Sequence, residues 1–250
     1  MVDKNLVKAH FSKASLTYDN YATIQKIMAR ELIKLCPDSR SVLEIGCATG
    51  FFTNLLKDIS TNLTACDISS KMVEIAKKRV KSAKFIVADA EELNLNGFDL
   101  IASNATFQWF NRPKDTIKRF YNMLNSNGVL AFSTFTHNTF CEINSAFNIK
   151  SCNQDIKRVQ NFLTKDEIEQ ILVEANFKDI KVKSFTHKLY FNSIKELLSS
   201  IKEVGASNAT NNLYIGKECY KEFLQTYQNR FCKNGKVYCT YEITIAFARR

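Results

Sequence analysis

The apolar positions of this chain follow two periods, and the switches between them mark alternating strands and helices. Short apolar runs bounded by turn residues fall at 42–45, 63–66, 85–88, 98–103 and 129–135. Such runs suit strands covered on both faces. Between them, 51–59, 70–80 and 113–124 keep a helical period. Ser69 or Ser70 can cap the second of these, and Lys77, Lys78 and Arg79 load its C-terminal end, where the helix dipole favours cations. Residues 3–35 read as helix, interrupted over 10–22, with an apolar stripe through Ile24, Met28 and Leu32. Asn125 to Gly128 reads as a turn, and 136–161 has little periodicity. Thr164 with Glu167 forms a capping box before a helix that runs to Ala175. A sixth strand is predicted at 180–190 and a last one at 238–247, with two helices, 193–204 and 216–230, inserted between them. This alternation predicts an α/β fold of the doubly wound kind.

Bulk properties narrow the picture. The 250 residues suit one domain with a smaller appended lid, and a 45% hydrophobic share supports a large core. With 7 Gly and 2 Pro, no flexible linker is expected. The N-terminal residues lack the apolar segment of a secretory signal, and no run is long enough to cross a membrane, so a cytoplasmic protein is expected. The 8 cysteines form no Cys-x-x-Cys pair, and His10, His137 and His187 are scattered. Reduced thiols and no metal site are therefore expected. A net charge of +10 points to an acidic partner: nucleic acid, a membrane surface or an acidic protein.

The candidate chemistry clusters at strand ends. The stretch Ser41-Val42-Leu43-Glu44-Ile45-Gly46-Cys47-Ala48-Thr49-Gly50 reads as strand, glycine turn and helix start. Gly46 can adopt positive φ and Gly50 permits a close turn. Backbone N–H groups at such a turn favour an anionic or polar ligand group. Asp67 ends the second strand about 20 residues on, the place for a carboxylate that binds ribose hydroxyls. Asp89 ends the third. Glu44, Asp67 and Asp89 thus lie at the ends of three successive strands.

The series Glu-Ile-Gly-Cys-Ala-Thr-Gly, Cys-Asp-Ile-Ser and Ala-Asp-Ala-Glu-Glu-Leu resembles the motifs of class I S-adenosylmethionine-dependent methyltransferases. The resemblance implies a Rossmann-like, mostly parallel sheet of seven strands whose last strand is antiparallel, plus a helical lid. It implies a cofactor-binding domain of 1–135, 162–191 and 237–250, with 1–37 as a helical cover, and a lid of 136–161 and 192–236. Glu44, Gly46, Cys47, Gly50, Asp67, Ile68, Asp89, Ala90 and Asn104 would hold S-adenosylmethionine, leaving S-adenosylhomocysteine as product. The family usually has glycine at Ala48, so slightly altered loop geometry is expected there. The segment from Phe11 through Tyr18 and Asp19 either folds over the cofactor or only docks its helix. The family's base-methylating members commonly carry an Asn/Asp-Pro-Pro-aromatic motif after the fourth strand. This chain has Asn104-Ala105-Thr106-Phe107 instead, which argues against nucleic acid.

Further segments sharpen the resemblance: 103–109, 162–170, Lys202-Glu203-Val204-Gly205-Ala206 and Thr240-Tyr241-Glu242-Ile243. They are similar to the malonyl-acyl-carrier-protein O-methyltransferase family of biotin synthesis. That implies esterification of a malonyl carboxylate on an acidic acyl carrier protein, by a monomer and without a general base. Lys202, with Tyr18 opposite, would position the carboxylate, and Gln108, Trp109, Arg112 and Arg158 would border the substrate. Lys202 is equally readable as a surface lysine. Lys150, Lys157, Arg158, Lys217 and Lys221, in or beside the lid, would help to dock the carrier. Two relatives in the same superfamily remain as alternatives: a protein-modifying assembly factor, and a quinone- or aconitate-type small-molecule methyltransferase.

Overall fold

A computed structural model of the chain describes residues 2–147, 162–206 and 216–250. Its centre is one sheet of β1 (Ser39–Ile45), β2 (Ser60–Asp67), β3 (Lys84–Val87), β4 (Phe98–Asn104), β5 (Leu124–Phe135), β6 (Lys178–Phe191) and β8 (Lys236–Arg249), with a two-residue β7 (Cys232–Lys233). The order is β3-β2-β1-β4-β5-β8-β6. Neighbours from β3 to β5 are parallel, and β8 runs antiparallel to both β5 and β6. This is the expected sheet, with β7 as an addition. It pairs to β8 through Asn234 and Gly235, both at positive φ (52° and 75°), as a tight hairpin requires.

Strand order reverses between β1 and β4, and Ile45 pairs with both Cys66 and Ser103. The carboxyl ends of β1, β2 and β4 therefore open at one crevice, where ligands of such sheets bind. Apolar residues cover both sheet faces, Leu43, Ile45 and Ile101 on one and Val42, Leu100 and Ala102 on the other.

Several elements differ from the sequence reading. The first segment is three helices, α1 (Lys4–Ala14), α2 (Tyr18–Tyr21) and α3 (Thr23–Ile33). Asp3 caps α1, accepting from the Asn5 and Leu6 amides. Asn125 to Gly128 is no separate turn. It lies inside β5, where Asn127 takes φ 63° and the register against β4 shifts between Phe98 and Leu100. The stretch after β5 contains α7 (Cys141–Phe147). Its amphipathic pattern is hidden because Glu142 points inward and accepts from the Thr240 amide at 2.9 Å. Among the described residues, the rest of the expected lid includes α9 (Ile194–Glu203) and α10 (Lys217–Arg230), and α10 stacks Phe223 on Phe147 at 4.0 Å. Lys150, Lys157 and Arg158 lie outside the described residues.

Cys36, Cys47, Cys66, Cys141, Cys232 and Cys239 are free thiols, whereas Cys219 is disulfide-bonded, against the expectation of reduced cysteines throughout. Among the described residues no cluster of His, Cys, Asp and Glu could hold a metal, and no helix is long and apolar enough to cross a membrane.

Candidate functional site

The loop from β1 to α4 (Phe51–Leu56) forms the floor of the site. The Gly46 and Cys47 amides both donate to the Cys66 carbonyl, at 2.8 and 2.9 Å, which ties the loop to the end of β2. Gly46 has φ 74°, and a Cβ there would stand 2.0 Å from Thr106 Oγ1. Only glycine lets the β1 and β4 loops approach this closely. Gly50 (φ 83°) turns the chain against α5 (Ser70–Arg79), where a Cβ would meet Ala76 Cα at 3.0 Å. Ala48 does not avoid positive φ, the condition on which the expected change of loop geometry rests. It takes φ 44°, a left-handed conformation, and its amide donates to Asp67 Oδ2 at 2.9 Å. A left-handed backbone at this residue costs about 1–2 kcal/mol of strain.

Asp67 also accepts from the Ser69 amide at 2.8 Å. Burial pushes its carboxyl up, against the opposing pull of the Ser69, Ala48 and Ile68 amides. Glu44 lies beneath the loop, buried at 1% exposure. The Thr53 hydroxyl faces it without a hydrogen bond of normal geometry, and both carboxylate oxygens lack a partner. Burial raises the Glu44 carboxyl to about 8, offset in part by Thr53 and helped by the charge of Asp67.

A second acidic group forms the wall. Asp89 caps the turn Ala90–Glu92, accepting from the Glu91 amide at 3.0 Å. Lys4 reaches it from α1, 3.3 Å from Asp89 and 2.6 Å from Glu91. Glu91 is buried and accepts from the Asn111 and Arg112 amides at 3.0 and 2.7 Å. Burial works to raise the Glu91 carboxyl, but Lys4 and the two amides hold it below the usual range.

The roof is α1 and α2, fastened at points far apart in sequence. Phe11 sets its ring edge-on to Trp109 at 5.6 Å. Ser12 and Ser69 share a hydrogen bond of 2.8 Å. Asp19 pairs with Arg79 and accepts from the Thr49 hydroxyl at 2.7 Å. The Thr17 hydroxyl donates to the Glu203 carbonyl at 3.0 Å. Tyr18 lies under this roof, its phenol pushed up by burial and by the charges of Asp67 and Asp19.

Floor, wall and roof border a cleft of about 600 Å³ that is partly open to solvent. Gly46, Asp67, Ile68, Asp89, Ala90, Asn104, Trp109 and Tyr18 line it. Tyr18, Gly46, Ala48 and Asn104 also border a neighbouring cleft of about 340 Å³, which Cys47 lines. Among the remaining expected residues, Glu44 lies below the loop and Gly50 behind it. Gln108 donates to the Ala105 carbonyl at 2.6 Å and accepts from the Thr134 hydroxyl, outside both clefts. Arg112 pairs with Glu92 at the surface. Lys202 does not present its ammonium inward as expected. It is exposed and borders neither cleft, because Ile194, Leu197, Leu198 and Ile201 form the covered stripe of α9 and position 202 falls outside it. Arg158 lies outside the described residues. Lys4, Gln25 and Lys26 border the clefts and were not anticipated. The only signal for them was the apolar stripe that docks their helices.

Residues 43–132 match a family model described as a methyltransferase domain. A malonyl-acyl-carrier-protein O-methyltransferase of Acetivibrio thermocellus is 35% identical, over 100% of this chain and 95% of its own length. One from Anoxybacillus flavithermus is 36% identical over 96% and 95%. Among solved structures, the YcgJ protein of Bacillus subtilis superposes with TM-score 0.63 at 14% identity, over 90% of this chain and 97% of that one. Phosphoethanolamine N-methyltransferase 2 of Haemonchus contortus, bound to S-adenosylhomocysteine, gives TM-score 0.58 at 16% identity, over 96% and 57%.

Proposed function

The chain belongs to the malonyl-acyl-carrier-protein O-methyltransferase family, and from that premise we propose that it methylates the free malonyl carboxylate on acyl carrier protein. The products are the malonyl methyl ester, which primes pimelate synthesis for biotin, and S-adenosylhomocysteine. One observation carries this reading: Asp67, Asp89 and the Gly46–Gly50 loop converge on a single roofed cleft at the reversal of strand order.

The cleft fits S-adenosylmethionine. Asp67 and Asp89 offer acceptors to ribose hydroxyls and the adenine amino group, Ile68 and Ala90 give apolar flanks, and the tight Gly46–Thr106 approach leaves a narrow waist. When bound, the cofactor supplies an electrophilic sulfonium methyl. The chain's own residues position, shield and exclude water. A malonyl carboxylate is ionised at neutral pH and needs no general base. Tyr18, held protonated, serves as a donor rather than a base. Phe11 and Trp109 close the roof and strengthen the local electrostatics by keeping water out. The net charge of +10 suits an acidic carrier protein.

The test supplies the protein with labelled S-adenosylmethionine and, separately, malonyl carrier protein, malonyl-CoA, free malonate and a quinone precursor. Base-labile label on the malonyl carrier protein is expected, with malonate and the quinone inert. Preferred labelling of the quinone, or of an unmodified protein, would favour one of the two alternatives instead.

A further inference from the structure

We infer that Thr17 and Gly205 are positioning residues that join the roof to lid helix α9, so that a ligand closing the roof also fixes α9 for the carrier-bound acceptor. This coupling rests on the cofactor reading above. The end of α9 is built for the contact. The Gly205 and Ala206 amides donate to the Lys202 and Ile201 carbonyls at 2.9 and 3.2 Å, a C-terminal turn that needs a left-handed residue at 205. Gly205 supplies it at φ 72°. It also lies against α1, where a Cβ would stand 3.1 Å from Phe11 Cα and 3.2 Å from the His10 carbonyl oxygen. A helix end leaves its last carbonyls without internal partners. Of these, the Glu203 carbonyl accepts from the Thr17 hydroxyl at 3.0 Å. The Lys-x-x-Gly-Ala segment thus closes α9 onto the roof, with its lysine left exposed.

The roof has two states open to it. Val2, Leu6, Val7 and Phe11 pack with Trp109 and Ala206 in a cluster of their own, whereas Ile24, Met28 and Leu32 of α3 belong to the main core. Ala22 separates α2 from α3 at φ −76° and ψ 38°, outside helical backbone, and marks the hinge. Thr17 acts as a switch with two positions. Its one hydroxyl hydrogen has a second acceptor inside the roof, the Ala14 carbonyl at 3.1 Å. Releasing Glu203 therefore leaves no hydroxyl unsatisfied. Phe11, Tyr18 and Trp109 line the larger cleft, and Phe11 and Trp109 also share the cluster with Ala206. A ligand in the cleft meets Phe11 and Tyr18 fully only under a closed roof, so it shifts the population toward the latched state.

The test reads amide hydrogen exchange with and without S-adenosylhomocysteine. In wild-type protein the ligand should slow exchange both in the loop 46–50 and at 198–204 of α9. The α9 effect should be about fivefold or more, the low end of coupling between sites. Thr17→Val keeps the side-chain shape and loses the hydrogen bond, and Gly205→Ala forces a Cβ against Phe11. In both variants the loop should still be slowed, while the α9 effect falls below about twofold. By the same linkage, malonyl carrier protein should bind wild-type protein about fivefold or more tighter when the ligand is present, and Thr17→Val should lose most of that gain. Slowing in the loop but not in α9 of wild-type protein would overturn the inference. So would an α9 effect of equal size in all three proteins, or a carrier affinity indifferent to the ligand. Faster α9 exchange in the variants, by the same factor with and without ligand, would also overturn it, since both residues would then serve structure alone. Absence of slowing in the loop would instead strike at the cofactor reading.

Discussion

The Ala48 amide, on a residue with a left-handed backbone, meets the Asp67 carboxylate at 2.9 Å. The loop thus stores strain to orient the Asp67 carboxylate at the cleft wall. Ala48→Gly should relieve it. The gain in unfolding free energy is expected at about 0.5–1 kcal/mol, the left-handed penalty less the extra unfolded-state entropy of glycine. Denaturant titration reads this directly, and a loss of stability would show that the strain is absent.

Asp67→Ala removes acceptors for the Ala48 and Ser69 amides as well as for the ligand. Affinity for S-adenosylhomocysteine should fall by about 1–3 kcal/mol. Calorimetric titration giving wild-type affinity would remove Asp67 from the site.

Glu44 makes stability depend on pH. Its carboxyl is raised from 4.5 to about 8 by burial, so the folded state holds a proton that the unfolded chain releases. Stability is fullest below about 4.5, declines as pH rises, and the decline is complete once pH passes about 8. Glu44→Gln should flatten this slope and be the more stable protein at pH 8. Parallel pH profiles for the two proteins would contradict a protonated Glu44.

Gly46→Ala should destabilise the protein by about 2–5 kcal/mol, combining left-handed strain with the contact to Thr106. Thr106→Ala removes Oγ1 and Cγ2, two of the three atoms a Cβ would strike. In the double variant the two costs should add to less than their sum, by about 1 kcal/mol or more. Strict additivity in a double-mutant cycle would mean that the loops separate freely.

These sites were unequally legible. The strand-end acids could be read because a parallel strand is an apolar run that stops where its carboxylate emerges, as at Asp67, and Asp89 follows two residues after β3. Lys4 and Lys26 could not. Both sit on amphipathic helices whose stripe says only that they dock, while the sheet's topology decides what lies beneath. Glu142 misled for the opposite reason: an inward acid satisfied by Thr240 disguises a helix as loop. Lys202 was misplaced by one position, since residues 201 and 202 differ by about 100° around a helix.

Its exposed position gives Lys202 another testable role. The Thr17–Glu203 hydrogen bond ties the end of α9 to the rim formed by the α1–α2 turn, where Leu16 is 86% exposed. An acidic carrier protein touching this rim would feel Lys202→Glu as a several-fold rise in KM, largest at low salt. Malonyl-CoA turnover should hardly change. An equal effect on both substrates would place the carrier elsewhere.

The roof also bears on how the protein is made. Thr17 finds its carbonyl partner 186 residues further along the chain. At a ribosomal pace of about 5–20 residues per second, α1 and α2 wait roughly 10–40 s between their own synthesis and the arrival of Glu203. Over that interval β1 to β5 can assemble, with the roof held by its contacts to Ser69, Arg79 and Trp109 and its last latch still open. A nascent chain could therefore meet its cofactor before the roof is latched, and cofactor starvation during translation should leave more of the protein in protease-sensitive form than starvation afterwards.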